Sequence, residues 1–254
     1  MTPLGALTLF LAGVAASIFG SLVGLGGGFV VLPILRLAYG VPPAQAAGTS
    51  LLMVFGNTAA ATFGYLHDRK IDMQLAIPFA LGGVPGSIAG VLIVKRFTPT
   101  GFDLAYSVIM IALAVLVLRR RSATPRAQGE RTWAHDPRIG ALGGFAVGLF
   151  SSLFGIGGGV VMIPLLLVAA RMPPHVVVAT GAFVITATAP VGVATHALAG
   201  DVDWIFAAPL VLGGLAGGSI GPMIARRVSS PRLVTLLSIA LIIAAVSLAA
   251  RHFL

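Results

Sequence analysis

The chain has 254 residues, 57% of them hydrophobic and only 9% charged, with a mean hydropathy of +1.03. Soluble domains carry roughly 25% charge, so this composition excludes a soluble globular domain, a disordered chain and a collagen-like fibre. No cysteine is present, which excludes disulfides and thiolate metal or redox chemistry. The net charge of +9 does not point to nucleic acid: six of the 16 Lys and Arg residues (Arg119, Arg120, Arg121, Arg126, Arg131, Arg138) share one central stretch, and most others flank apolar runs. Basic residues so placed set membrane orientation.

A membrane-spanning helix needs about 20 apolar residues. The predicted fold is therefore an all-α polytopic membrane protein with about 8–10 transmembrane or half-spanning helices. Apolar runs cover 4–23, 28–39, 44–66, 74–94 and 100–118, then 138–154, 159–170, 175–199, 204–225 and 232–250. Residues 1–118 form a first repeat, 119–137 an Arg-rich linker and 138–254 a second repeat. The first run lacks the basic leader of a cleaved signal peptide and reads as a span.

The first run ends in Gly24-Leu25-Gly26-Gly27-Gly28. The next, Phe29–Tyr39, would cover about 18 Å at ~1.5 Å per residue, well short of the ~30 Å hydrocarbon core. It reads as a half-helix behind an unwound break. A helix N-terminus carries unpaired N–H donors and partial positive charge, which suits an anion. Gly24, Gly26, Gly27 and Gly28 are therefore candidate substrate-binding positions, with close helix contact through small residues as the alternative. The motif is neither a P-loop nor a dinucleotide fingerprint, because no Lys-Ser or Lys-Thr follows and Phe29 takes the last glycine place.

In the third run Thr49 and Ser50 offer uncharged hydroxyls to an anion, or bond back to their own helix. Asn57, two turns on, could donate to substrate or link two helices. Asp72 precedes the fourth run and reads as a helix cap. Gly82, Gly86 and Gly90 fall on one helix face and read as a close-contact stripe.

The second half repeats the first at an offset of 131 positions without a gap. Gly155, Gly157, Gly158 and Gly159 match the first break, Thr180 matches Thr49, Asp203 matches Asp72, and Gly213, Gly217 and Gly221 match the stripe. These second-half positions inherit the same candidate roles. His196 matches Tyr65; it is a substrate-binding candidate as an intramembrane histidine, and its nearness to Gly200 and Asp201 equally suits a loop staple. The loop 67–70 is basic and its counterpart 196–203 has no Lys or Arg. Opposite loop charge favours inverted over parallel repeats, a common transporter plan. Lys95-Arg96 runs against that scheme.

All seven acidic residues lie at span ends or in loops. No proton relay stands out beyond His196, and there is no catalytic set, metal cluster or cofactor motif. A non-enzymatic carrier of a small anion is the leading expectation. The inside-negative potential drives an anion outward by about 2.3 kcal/mol per charge per 100 mV, so export needs no coupled ion. Importer, channel and membrane scaffold are the alternatives. Lipid and a small anion are the expected partners, nucleic acid is not, and a homodimer stays open.

The duplicated Gly-x-Gly-Gly-Gly…Pro, the Gly48-Thr49-Ser50 and Ala179-Thr180 pairs, and His196…Gly200-Asp201-Val202-Asp203-Trp204 together resemble the sulfite exporter TauE/SafE family. The resemblance covers nearly the whole chain apart from the linker. It implies a multi-pass inner-membrane permease for sulfite, organosulfonates or related oxoanions. It also implies an anion site at the two breaks with Thr49, Ser50 and Thr180. Gly181 stands where the pattern leads one to expect Ser, and the His-Asp-Arg-Lys loop departs from Gly-x-Val-Asp.

Overall fold

The computed structural model describes residues 2–68, 70–119, 133–225, 227–228, 235–236, 238–239, 241–243, 245–246 and 248. Most of the Arg-rich linker, Arg226 and about half of the 232–250 run lie outside the described residues. Every regular element among the described residues is helical. In chain order they are α1 (Pro3–Val23), α2 (Gly28–Leu37), α3 (Pro43–His67), α4 (Met73–Val94), α5 (Pro99–Arg119), α6 (Pro137–Phe154), α7 (Gly159–Pro164), α8 (Pro174–Leu198) and α9 (Trp204–Ala225). A single 3-10 turn precedes α6, and α7 runs on into a π turn over Leu165–Ala169.

Local chemistry sets most of these boundaries. Proline opens α1, α3, α6 and α8 near the first helical position, where its missing N–H is no loss. Asp72 accepts from Leu75 N–H at 3.2 Å, and Asp203 accepts from Ile205 N–H at 3.0 Å. Both aspartates are thus the helix caps that their positions suggested.

Among the described residues, six helices, α1, α4, α5, α6, α8 and α9, are long and apolar enough to cross a membrane. Their outward faces carry large apolar side chains such as Leu7, Leu81, Leu92, Leu142 and Leu212. The chain is a multi-pass membrane protein. Helix α3 is equally long but holds Gln45, Thr49, Ser50 and Asn57, and it is not among the six. Its place is internal, against α8 and α9.

The glycine stripes fix how the halves interlock. Helix α4 of the first half lies against α6 of the second, and α9 of the second against α1 of the first. A Cβ at Gly82, Gly86 or Gly90 would meet the backbone carbonyls of Ala141, Phe145 and Leu149. At Gly213 and Gly217 it would meet those of Phe10 and Val14. Only residues without side chains let these backbones touch.

Contacts sort the element ends into two groups. At one end, Thr2 and Gly5 of α1, Tyr39 after α2, and Asp203, Ile205 and Phe206 of α9 line a surface cavity of about 470 Å³. There too, Lys95 after α4 donates to the Ala199 carbonyl at 3.4 Å. At the other end, His135 before α6 meets Asp72 before α4 at 2.9 Å, and Trp133 donates to the Ala169 carbonyl at 3.3 Å.

Candidate functional site

Helix α1 stops because Gly24 turns left-handed, at φ 78°; Gly155 ends α6 the same way at φ 62°. The chain then doubles back. Gly27 comes to lie beside Ala16, and Phe19 meets Phe29 with ring centroids 6.1 Å apart. In the second half Gly158 lies beside Val147, the counterpart of Ala16. Each break is therefore a re-entrant turn, and the ten residues of α2 reach only about 15 Å.

The two breaks meet. A Cβ on Gly28 would strike the Gly155 carbonyl, and one on Gly159 would strike the Gly24 carbonyl. These are corresponding pairs in the repeat, so each half-helix starts against the opposite break. Between them sits Val54, whose Cγ1 would stand 2.8 Å from a Cβ on Gly26 and 2.9 Å from one on Gly157. Backbone and Val54 fill the centre, with Thr58 Cγ2 beside Gly26 and Ile185 Cδ1 beside Gly157.

The polar candidates are distributed around this centre rather than gathered in it. Ser50 donates to the Gly155 carbonyl at 2.7 Å. Thr49 and Thr180 reach across to the opposite half instead of back to their own helices. Thr49 Oγ1 accepts from the Asp203 backbone N–H, and Thr180 Oγ1 from that of Asp72, each at 3.0 Å. Each threonine thus holds the start of a helix in the opposite half. Asn57 faces Gly214 and Gly218 of α9, is fully buried, and makes no hydrogen bond with either side-chain atom. A buried amide without a partner carries a desolvation penalty of roughly 1–3 kcal/mol.

His196 Nε2 lies 2.9 Å from the Ser152 carbonyl. Its counterpart Tyr65 donates to the Ser21 carbonyl at 3.0 Å. Ser21 and Ser152 are the third residues before the break glycines, where helix carbonyls lack internal partners. Both side chains therefore satisfy the end of a broken helix.

Comparison with known proteins places the chain in a family. The profile described as "Sulfite exporter TauE/SafE" matches residues 9–248. The chain belongs to the sulfite exporter TauE/SafE family. A "Probable membrane transporter protein YunE" of Bacillus subtilis is 31% identical over 92% of this chain and 94% of its own length. A Xylella fastidiosa "Probable membrane transporter protein" is 30% identical over 83% of this chain and 81% of its own. A like-named protein of Methanocaldococcus jannaschii is 31% identical over 78% and 74%. No solved structure matches the chain. The protein is a membrane transporter of the TauE/SafE type.

One feature of this transporter escapes a repeat-based reading because only the first half has it. Arg36, at the end of α2, forms a bidentate pair with Asp103 of α5: Nε to Oδ1 is 2.9 Å and Nη2 to Oδ2 is 2.7 Å. Arg36 Nη1 also donates to the Val41 carbonyl at 2.9 Å, and Tyr106 donates to the Phe29 carbonyl at 3.0 Å. Both charges are buried. The signal was available: Arg36 and Asp103 are opposite charges inside or beside apolar runs, where charges normally pair. Val54 gave no signal at all, because an apolar residue in an apolar run is uninformative.

Proposed function

We propose that this chain is a secondary transporter of small sulfur-containing anions, such as sulfite or organosulfonates, across the inner membrane. The observation that supports this reading most is the meeting of two half-helix starts at the centre, Gly28 beside Gly155 and Gly159 beside Gly24. Helix starts have unpaired N–H donors, and irregular backbone at membrane depth is tolerated only where it is buried in protein or lines a cavity. In the arrangement described, each break fills the other, with Val54 between. The anion would reach the donors when the breaks separate, and Asn57 would supply a neutral amide beside the path.

The halves act as inverted repeats on this reading. Thr49 and Asp203, near the starts of α3 and α9, share one end with Lys95 and Ala199. Thr180 and Asp72, near the starts of α8 and α4, share the other with His135. Equivalent helices of the two halves then run in opposite directions, as alternating access between repeats requires. Export follows the membrane potential without a coupled ion.

Flux into and out of proteoliposomes, measured over sulfite, sulfoacetate, thiosulfate and sulfate at clamped potential, tests this. Sulfite or sulfonate flux that follows voltage is expected. Flux that ignores voltage and follows a sodium or proton gradient would overturn the uncoupled export. No flux of any of these anions would favour the scaffold reading, which the closed centre also fits. Asn57→Ala sharpens the test: removing an unpartnered buried amide should leave thermal stability unchanged or higher, while flux falls at least tenfold. Unchanged flux would remove Asn57 from the path.

A further inference from the structure

The turn between α8 and α9 contains a proton-sized gap. His196 is fully buried in the last turn of α8. A carbonyl can only accept, so the contact with Ser152 requires a hydrogen on Nε2. In a neutral imidazole Nδ1 is then a lone-pair acceptor. That Nδ1 faces Asp201 Oδ2 at 3.7 Å. An ionised carboxylate is also acceptor-only. Both atoms are buried, and neither makes a hydrogen bond.

The surroundings complete the electrostatic picture. Lys95 Nζ, from the end of α4, lies 3.5 Å from the same Asp201 Oδ2 and is 44% exposed. From α3, Gly48 lies against the Asp201 carbonyl and the His196 Cβ. From α6, the Ser152 carbonyl meets His196 Nε2. Asp201 and Lys95 are thus the ionisable groups that act on His196.

We propose that His196 and Asp201 form a proton-binding site, and that a proton held between them draws the α8–α9 turn onto the broken end of α6. With a proton on Nδ1, two facing acceptors become a charge-assisted N–H···O bond of about 2.7–2.9 Å. His196 would carry that change to Ser152, three residues before Gly155. Asp201 would carry it towards Asp203, whose N–H rests on Thr49. The first half has Tyr65 in the place of His196, and a phenol does not titrate near neutrality. The equivalent position in the first half therefore has no matching imidazole. As regulation of transport the inference rests on the preceding reading; as a proton site it does not.

Nitrogen-15 NMR of histidine in the full chain in lipid nanodiscs tests the site without any transport. His196→Gln identifies the His196 signal among the five histidines. The expected result is an Nε2–H tautomer that gains one proton on Nδ1 in a single step as the pH is lowered. Lys95→Gln should move the step to higher pH by roughly half a unit to one unit, because a partly screened competing cation is lost. Asp201→Asn should move it lower, because the amide can donate to neutral Nδ1. No step, or a step that neither substitution moves, overturns the proposal. Flux supplies a second readout: the Lys95→Gln protein should show the wild-type pH profile displaced upward, and an undisplaced profile counts against regulation by this site. If the wild type carries no anion, the transport reading fails while the NMR step still decides the proton site.

Discussion

At the scale of single residues, comparison of equivalent positions is more informative than any position alone. Ser50 donates to the Gly155 carbonyl across the interface between halves, while its counterpart Gly181 has no hydroxyl to offer the Gly24 carbonyl. A Cβ at Gly181 would meet nothing closer than Ile163 Cγ1 at 3.8 Å. Gly181→Ser should therefore fit and raise stability by about 1–2 kcal/mol, from one more buried hydrogen bond and from helix propensity. Ser50→Ala should lower it by about 1–3 kcal/mol, since a buried carbonyl loses its donor. Thermal unfolding of the purified proteins checks both; a lower midpoint for Gly181→Ser would show that the repeats do not correspond there. Gly27→Val and Gly158→Val are attractive site probes on sequence alone. In the fold they test folding instead, because a Cβ at Gly27 would stand 2.6 Å from the Ala16 carbonyl and one at Gly158 would strike Val147.

At the scale of elements, the two half-helices are not equally held. Helix α2 stays regular to Leu37 and is clamped to α5 by Arg36 and Asp103. Its counterpart leaves α-geometry at Leu165 and ends in a π turn before Arg171, a non-glycine residue at φ 54° where the first half has Gly40. π turns are uncommon and often coincide with functional sites. Asp103→Ala leaves a buried guanidinium uncompensated and should cost about 3–5 kcal/mol. Replacing both partners, Arg36→Met with Asp103→Leu, should recover most of that loss. Unfolding midpoints of the single and double variants measure it; equal damage in both would mean that the pair acts through something other than its charges.

At the scale of the whole molecule, the proposed inverted arrangement makes a topological prediction. Because the chain has no cysteine, single cysteines can be introduced without background. Arg96→Cys should react with a membrane-impermeant thiol reagent from the face opposite to His67→Cys and Asp136→Cys, in oriented vesicles. Reaction of all three from one face would rule the inverted arrangement out. The same picture accounts for Lys95, the basic residue that runs against the loop-charge scheme. It faces Asp201 and the Ala199 carbonyl, so local pairing rather than orientation explains its place.

The sequence by itself determined the environment, the helical class, the duplication and the two breaks. Hydropathy, glycine spacing and a fixed offset are local or periodic, and survive without coordinates. It also marked Asp72 and Asp203 as caps and the glycine stripes as contact faces, because those roles depend on a helix's own ends and sides. The tertiary structure alone decided what those faces touch: α4 against α6 and α1 against α9, each pair crossing between halves. It decided that Thr49 and Thr180 hold the opposite half's backbone, that Val54 stands between the breaks, and that Arg36 reaches Asp103. Each of these joins residues far apart in the chain. Nothing in local propensity encodes such partners; they follow from how two copies of one repeat bury their polar backbone against each other.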